Sequence, residues 1–234
     1  MSTYFGRSVI PAFLLFILVQ SAQSQDMEVG IFGGGSYYIG DLNPVKPFQN
    51  TQLSYGLLAR YSLDTRWAFR VAVVHGKITG DASNGTPNIR NEAISFYNTI
   101  TDISGVVEFN FIPYFVGSQH HRISPYIYAG ISGFYYSGVA TYSKSVSEMN
   151  GTNFSIPFGL GAKYSISNRV GLQVYWEMHK TFFDKLDDVY GDLLPGGTII
   201  VGDPNTNDWF SFAGVSLSYK FYLPGSNKCK DLNH

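Results

Sequence analysis

Charge is scarce in this chain. Acidic and basic residues together make up 14% of its 234 residues, against about 25% in an ordinary soluble domain. That shortage excludes a densely solvated surface and a disordered, charge-rich chain alike. The net charge is −1, so the basic footprint of a nucleic-acid binder is missing. Cysteine is nearly absent: Cys229 is the single one. Beyond the first 24 residues no apolar run approaches the ~20 residues of a membrane-spanning helix, so any later span must be built from strands. No Cys or carboxylate stands at ligand spacing beside the histidines, and no nucleophile-elbow motif singles out a serine. The sequence therefore implies no metal and no cofactor.

Aromatic residues, in contrast, reach 16%. Residues 1–24 have the pattern of a cleaved secretory signal peptide. Arg7 gives the positive flank, Val9 to Val19 the apolar run, and Ala22-Gln23-Ser24 the small residues before cleavage. The remainder divides into a barrel over 25–223 and a short tail over 224–234.

Eight segments alternate with a period of two: roughly 27–40, 52–62, 66–77, 97–111, 124–136, 153–165, 169–180 and 209–222. Period two means strands, because successive side chains point to opposite faces. One face reads Leu53, Tyr55, Leu57, Ala59, Tyr61, and later Phe154, Ile156, Phe158, Leu160, Ala162, Tyr164. The other carries Arg60, Arg70, Asp102, Glu108, Lys163, Glu177 and Lys220. The alternation predicts that charge is confined to that second face. A charge on a lipid face near the midplane costs about 2–4 kcal/mol, so hydrocarbon outside and charge inside is the expected arrangement.

The fold class expected is all-β: a single eight-stranded antiparallel transmembrane β-barrel. Eight strands leave an interior barely wide enough for side chains. The seven charged groups are therefore expected to pair in a filled lumen. A soluble sandwich is the competing fold, but its solvated face would be the one bearing Gly, Ser and the charges. Connections alternate in length. Residues 62–66 and 165–168 are tight turns, while 41–51, 78–96, 137–152 and 181–208 are long. Short periplasmic turns, long outer loops and both termini in the periplasm follow for an outer-membrane barrel. One periplasmic link, 112–123, is longer than a hairpin needs. Its Pro113, Tyr114, His120, His121 and Arg122 are candidate partner contacts.

Several runs carry a resemblance: Tyr37-Tyr38-Ile39-Gly40-Asp41-Leu42-Asn43, Pro125-Tyr126-Ile127-Tyr128-Ala129-Gly130, Pro157-Phe158-Gly159-Leu160-Gly161-Ala162-Lys163-Tyr164, and Thr181-Phe182-Phe183-Asp184-Lys185-Leu186-Asp187-Asp188-Val189. Together they resemble the PorG-like outer-membrane barrels of Bacteroidota, components of the type IX secretion system. The resemblance implies a non-catalytic subunit that anchors a periplasmic ring of PorK-like lipoprotein and PorN-like protein. Cys229, flanked by Lys228 and Lys230 in the expected periplasmic tail, then becomes a candidate for a disulfide to that lipoprotein. An unpaired thiol in an oxidising compartment invites intermolecular pairing, and neighbouring lysines favour its thiolate. Two other roles fit the same barrel. One is a porin-like or adhesion barrel. The other is a lipid-modifying enzyme using Glu177, His179 and a lumen serine.

Overall fold

The computed structural model describes residues 26–40, 42–43, 46–84, 94–142, 145–182, 192–193, 200–201 and 208–222. The signal-peptide segment and the tail around Cys229 lie outside them. The strands are β1 (Asp26–Ile39), β2 (Gln52–Ser62), β3 (Trp67–Asp81), β4 (Ser95–Asn110), β5 (Ile123–Tyr142), β6 (Ser145–Ser165), β7 (Val170–Thr181), β8 (Asp192–Leu193), β9 (Ile200–Val201) and β10 (Trp209–Tyr222). Eight of them close into one barrel in the order β1-β10-β7-β6-β5-β4-β3-β2, every pair antiparallel. β8 and β9 form a separate two-stranded ribbon. Closure runs from Asp26↔Tyr222 to Ile39↔Trp209. Closure removes every sheet edge over the paired length, which a barrel in lipid requires because no water is there to satisfy an open edge.

The pleat sorts the side chains as the alternation predicts, with two corrections. Lys77 and Lys180 sit on the outer face, not the inner one. Both lie at the same end of the barrel, and each ammonium stands 5.7 Å from a ring centroid, Tyr97 for Lys77 and Trp209 for Lys180. Long stems let such cations sit at an interface beside aromatic faces without entering hydrocarbon. The rest of the outer wall is apolar: Ile31, Leu57, Ile103, Ile131, Leu160 and Val174 are exposed. Trp67, Phe109, Phe111, Tyr219 and Phe221 ring the short-turn end, where Trp67 and Phe109 pack at 4.8 Å and Tyr219 and Phe221 at 5.0 Å.

The second departure concerns strand length. Residues 137–152, expected as a loop, continue β5 and β6 to within two residues of each other, from Ser137↔Asn150 to Tyr142↔Ser145. Gly138, Ser145, Asn150 and Gly151 read as loop residues. Gly138, however, faces inward where a Cβ would meet the Tyr97 carbonyl at 1.9 Å, so the strand needs a glycine there. β3 likewise extends through Thr79 and Gly80, pairing Tyr97 and Phe96. The wall formed by β3, β4, β5 and β6 therefore stands taller than the other half.

One outward residue is covered by the chain itself. Tyr37 is fully buried because the 46–50 turn lays Phe48 against it at 4.9 Å. Trp176 Nε1 donates to Tyr37 Oη at 2.7 Å and to Ser211 Oγ at 2.9 Å. The indole N–H on the outer wall is thus satisfied within the protein.

Candidate functional site

The lumen holds the densest chemistry in the molecule. Register places Arg60 directly opposite Arg70, with Glu28 on its other side. Two cations opposite each other on one face repel. Glu108, projecting from β4, resolves this. Arg60 forks onto it, Nε to Oε2 at 2.7 Å and Nη2 to Oε1 at 3.1 Å. Arg70 Nε donates to the same carboxylate at 2.8 Å, and Lys163 Nζ reaches it from β6 at 2.6 Å. Arg60 also pairs with Glu28 at 3.0 Å and donates to Gln173 Oε1. Glu28 accepts from Ser218 Oγ at 2.6 Å. Arg70 Nη2 crosses to Glu177 on β7 at 2.8 Å. All these groups are buried. Charge-assisted and partly bidentate, they tie seven strands together through the barrel axis. Arg70 lies 4.8 Å from the Tyr128 ring centroid and Lys163 lies 4.5 Å from that of Tyr126, so aromatic faces fill the space the ions leave.

Above the ion cluster, His179 Nε2 contacts Glu177 at 3.0 Å, and Nδ1 contacts Ser155 Oγ at 3.0 Å and Ser132 Oγ at 3.3 Å. Asp102 Oδ1 lies 3.6 Å from the same Nδ1. Phe210 stacks on the imidazole at 4.3 Å and Phe212 meets it edge-on. Tyr38, bonded to Asp208 Oδ1 at 2.6 Å, and Phe96 close the next layer. Ser155, His179 and Glu177 form a hydroxyl–imidazole–carboxylate line. All three are buried under rings, and Glu177 is already engaged by Arg70.

Below the cluster, the link between β4 and β5 folds back into the barrel mouth. Tyr114 N donates to Thr65 O at 2.8 Å and Gly117 N to Ser165 Oγ at 2.8 Å. Lys220 Nζ donates to Val116 O and pairs with Asp26 at 3.3 Å. Burial pushes the Tyr114 phenol above its ordinary range, so it stays neutral.

Of the seven charged groups assigned to the lumen, Arg60, Arg70, Glu108, Lys163 and Glu177 are in direct contact. Asp102 joins only through His179. Lys220 stands apart in the floor with Asp26. Glu28 and Gln173 complete the cluster. Glu28 had a legible signal, the inward beat of the first strand between Met27 and Val29. Tyr114 needs correction as a partner contact: it is 4% exposed and forms part of the floor. The link between the ends of β4 and β5 turns its ring inward, where it fills the mouth. His120, His121 and Arg122 are exposed and Pro113 is half-buried. Cys229, Lys228, Lys230, Asp184, Asp187 and Asp188 lie outside the described residues. Among the described residues no group of three or more His, Cys, Asp or Glu is arranged to hold a metal.

A family model described as a domain of unknown function (DUF6089) matches residues 7–230. No curated protein matches the sequence. Among solved structures the chain is similar to Ail, the attachment invasion locus protein of Yersinia pestis. The TM-score is 0.50 at 10% identity, over 85% of this chain and 100% of that one. It is also similar to Neisserial surface protein A (NspA), with a TM-score of 0.50 at 14% identity over 83% of this chain and 97% of the other. At those identities the likeness establishes a shared fold, the closed eight-stranded antiparallel barrel of outer-membrane proteins.

Proposed function

The chain belongs to the DUF6089 family, a domain of unknown function, and from this premise we propose that it is a structural, non-enzymatic barrel of the outer membrane with a lumen sealed to solutes. The apolar outer wall and the aromatic residues at its turn end support membrane residence. Exposed apolar area on this scale requires a hydrocarbon cover. The single observation that carries sealing is Glu108, held at once by Arg60, Arg70 and Lys163 across the axis. Tyr114 and Val116 below, and His179 and Phe210 above, stack further plugs onto the same column. In planar bilayers the purified barrel is expected to give no steady conductance; a lasting open channel would contradict a sealed lumen. Phospholipid hydrolysis by the same preparation, lost in Ser155→Ala, would instead support an enzyme.

The finer reading is a tether for a periplasmic ring in type IX secretion, with both termini and the short turns in the periplasm. It rests on the resemblance to PorG-like barrels. It is favoured by the link at the turn end, which exposes Phe111, Ile112 and Phe115 beside His120, His121 and Arg122. An apolar patch next to imidazoles and a guanidinium is a suitable docking face for a protein partner. Affinity capture from outer membranes should bring down PorK-like and PorN-like proteins. A non-reducing gel should show a heavier band that disappears in Cys229→Ser if the thiol is the link. Recovery of the barrel alone would leave the adhesion or porin-like class without a ring.

A further inference from the structure

At the turn end lies a cleft of about 510 Å³ that the lumen network does not use. The β6–β7 turn forms one wall and residues 117–122 of the link form the other. Gly117 makes this close approach possible. Its φ is 101°, and a Cβ there would come 2.9 Å from Asn168 O. The walls are tied before any ligand arrives. Ser165 N donates to Arg122 O at 2.8 Å, His121 N to Ser118 Oγ at 3.1 Å, and Ile166 N to Val170 O at 2.9 Å.

The lining is sharply divided. Arg122 and Gln119 from the link wall and Arg169 and Asn168 from the turn wall make the cleft polar and cationic, with no carboxylate among the described lining residues. Ile166 in the β6–β7 turn and Tyr219 on the outer wall of β10 make the lip, and both are exposed. Arg169 Nη1 donates to Tyr219 Oη at 3.1 Å, which holds a guanidinium at the boundary between wall and turn. Cationic walls at the membrane rim with an exposed apolar lip have the two-part chemistry of a phospholipid. Guanidinium forks match phosphate oxygens, and the lip suits the first methylenes of an acyl chain.

We propose that this cleft seats the phosphate of a phospholipid from the surrounding leaflet, clamped by Arg122 and Arg169, with its proximal chain against Ile166 and Tyr219. The proposal rests on the barrel being membrane-embedded. That premise has its own readout, because failure of the protein to insert into vesicles would defeat it separately.

The test is native mass spectrometry of the full barrel released from micelles containing phosphatidylglycerol, with diacylglycerol as the phosphate-free control. Wild type should retain phosphatidylglycerol and not diacylglycerol. Arg122→Gln with Arg169→Gln should weaken retention about 25-fold, roughly fivefold for each cation brought to an anionic lipid surface. Arg66→Gln, at a turn outside the cleft, should match wild type. Should the double variant fail to close, judged by heat-modifiable gel migration, Ser167→Asp places an anion in the cleft and should expel the lipid. Retention unchanged in both variants overturns the site. Displacement of the lipid by inorganic phosphate at matched concentration also overturns it, because the cleft would then be a seat for a free anion.

Discussion

Glu108→Ala is expected to lower the unfolding free energy of the barrel by about 3–5 kcal/mol, the range for breaking a buried ion pair by deleting one partner. The loss is large because one carboxylate serves three cations, Arg60, Arg70 and Lys163, all buried. Removing it leaves Arg60 with Glu28, Arg70 with Glu177, and Lys163 beside the Tyr126 ring. Arg60 also finds Arg70 directly opposite with nothing between. The same principle predicts an asymmetry. A variant that replaces Glu28, Arg60, Arg70, Glu108, Lys163 and Glu177 together by apolar residues of similar volume should be far less damaged than Glu108→Ala, since no member of the ion cluster is left as an orphaned buried charge. Urea unfolding from vesicles, followed by fluorescence of Trp67, Trp176 and Trp209, measures both. A midpoint and slope in Glu108→Ala equal to wild type would mean that water reaches the cluster.

The period-two alternation was legible because the pleat leaves no freedom: once a strand is in the barrel, each residue's face is set by parity. This is why Arg60, Glu108 and Glu177 could be assigned to the interior from the sequence. Their pairing could not. Arg60 meets Glu108 across 48 positions and Arg70 meets Glu177 across 107, contacts created by strand stagger around a closed barrel. Strand ends failed for a chemical reason. Gly138, Asn150 and Gly151 carry turn chemistry, yet Asn150 faces outward and the tall wall needs the two inward glycines, Gly138 against the Tyr97 carbonyl and Gly151 against the Tyr136 ring. Lys77 and Lys180 escaped the charge rule because they lie near strand ends, where depth and not parity sets the cost. Tyr114 escaped because a link's inward fold leaves no periodic trace.

Depth also governs the second large effect. Leu57 is 63% exposed at the middle of β2, with Ile31 and Val73 directly opposite on the neighbouring strands. All three face outward, so an arginine there has no lumen carboxylate within reach. Leu57→Arg should therefore cost about 2–4 kcal/mol, as for a cation near the bilayer midplane. Leu53 faces the same way only four residues on, at the start of the strand. Leu53→Arg should cost only about 0–1 kcal/mol, because its stem can carry the guanidinium to the interface as Lys77 and Lys180 do. Unfolding in vesicles gives both numbers, and their difference is the informative quantity. Lost side-chain packing alone would penalise the two leucines about equally, since both are exposed. A steep dependence on position requires a medium whose polarity changes along the strand. Two equal, small losses would mean that water, not acyl chain, covers this wall.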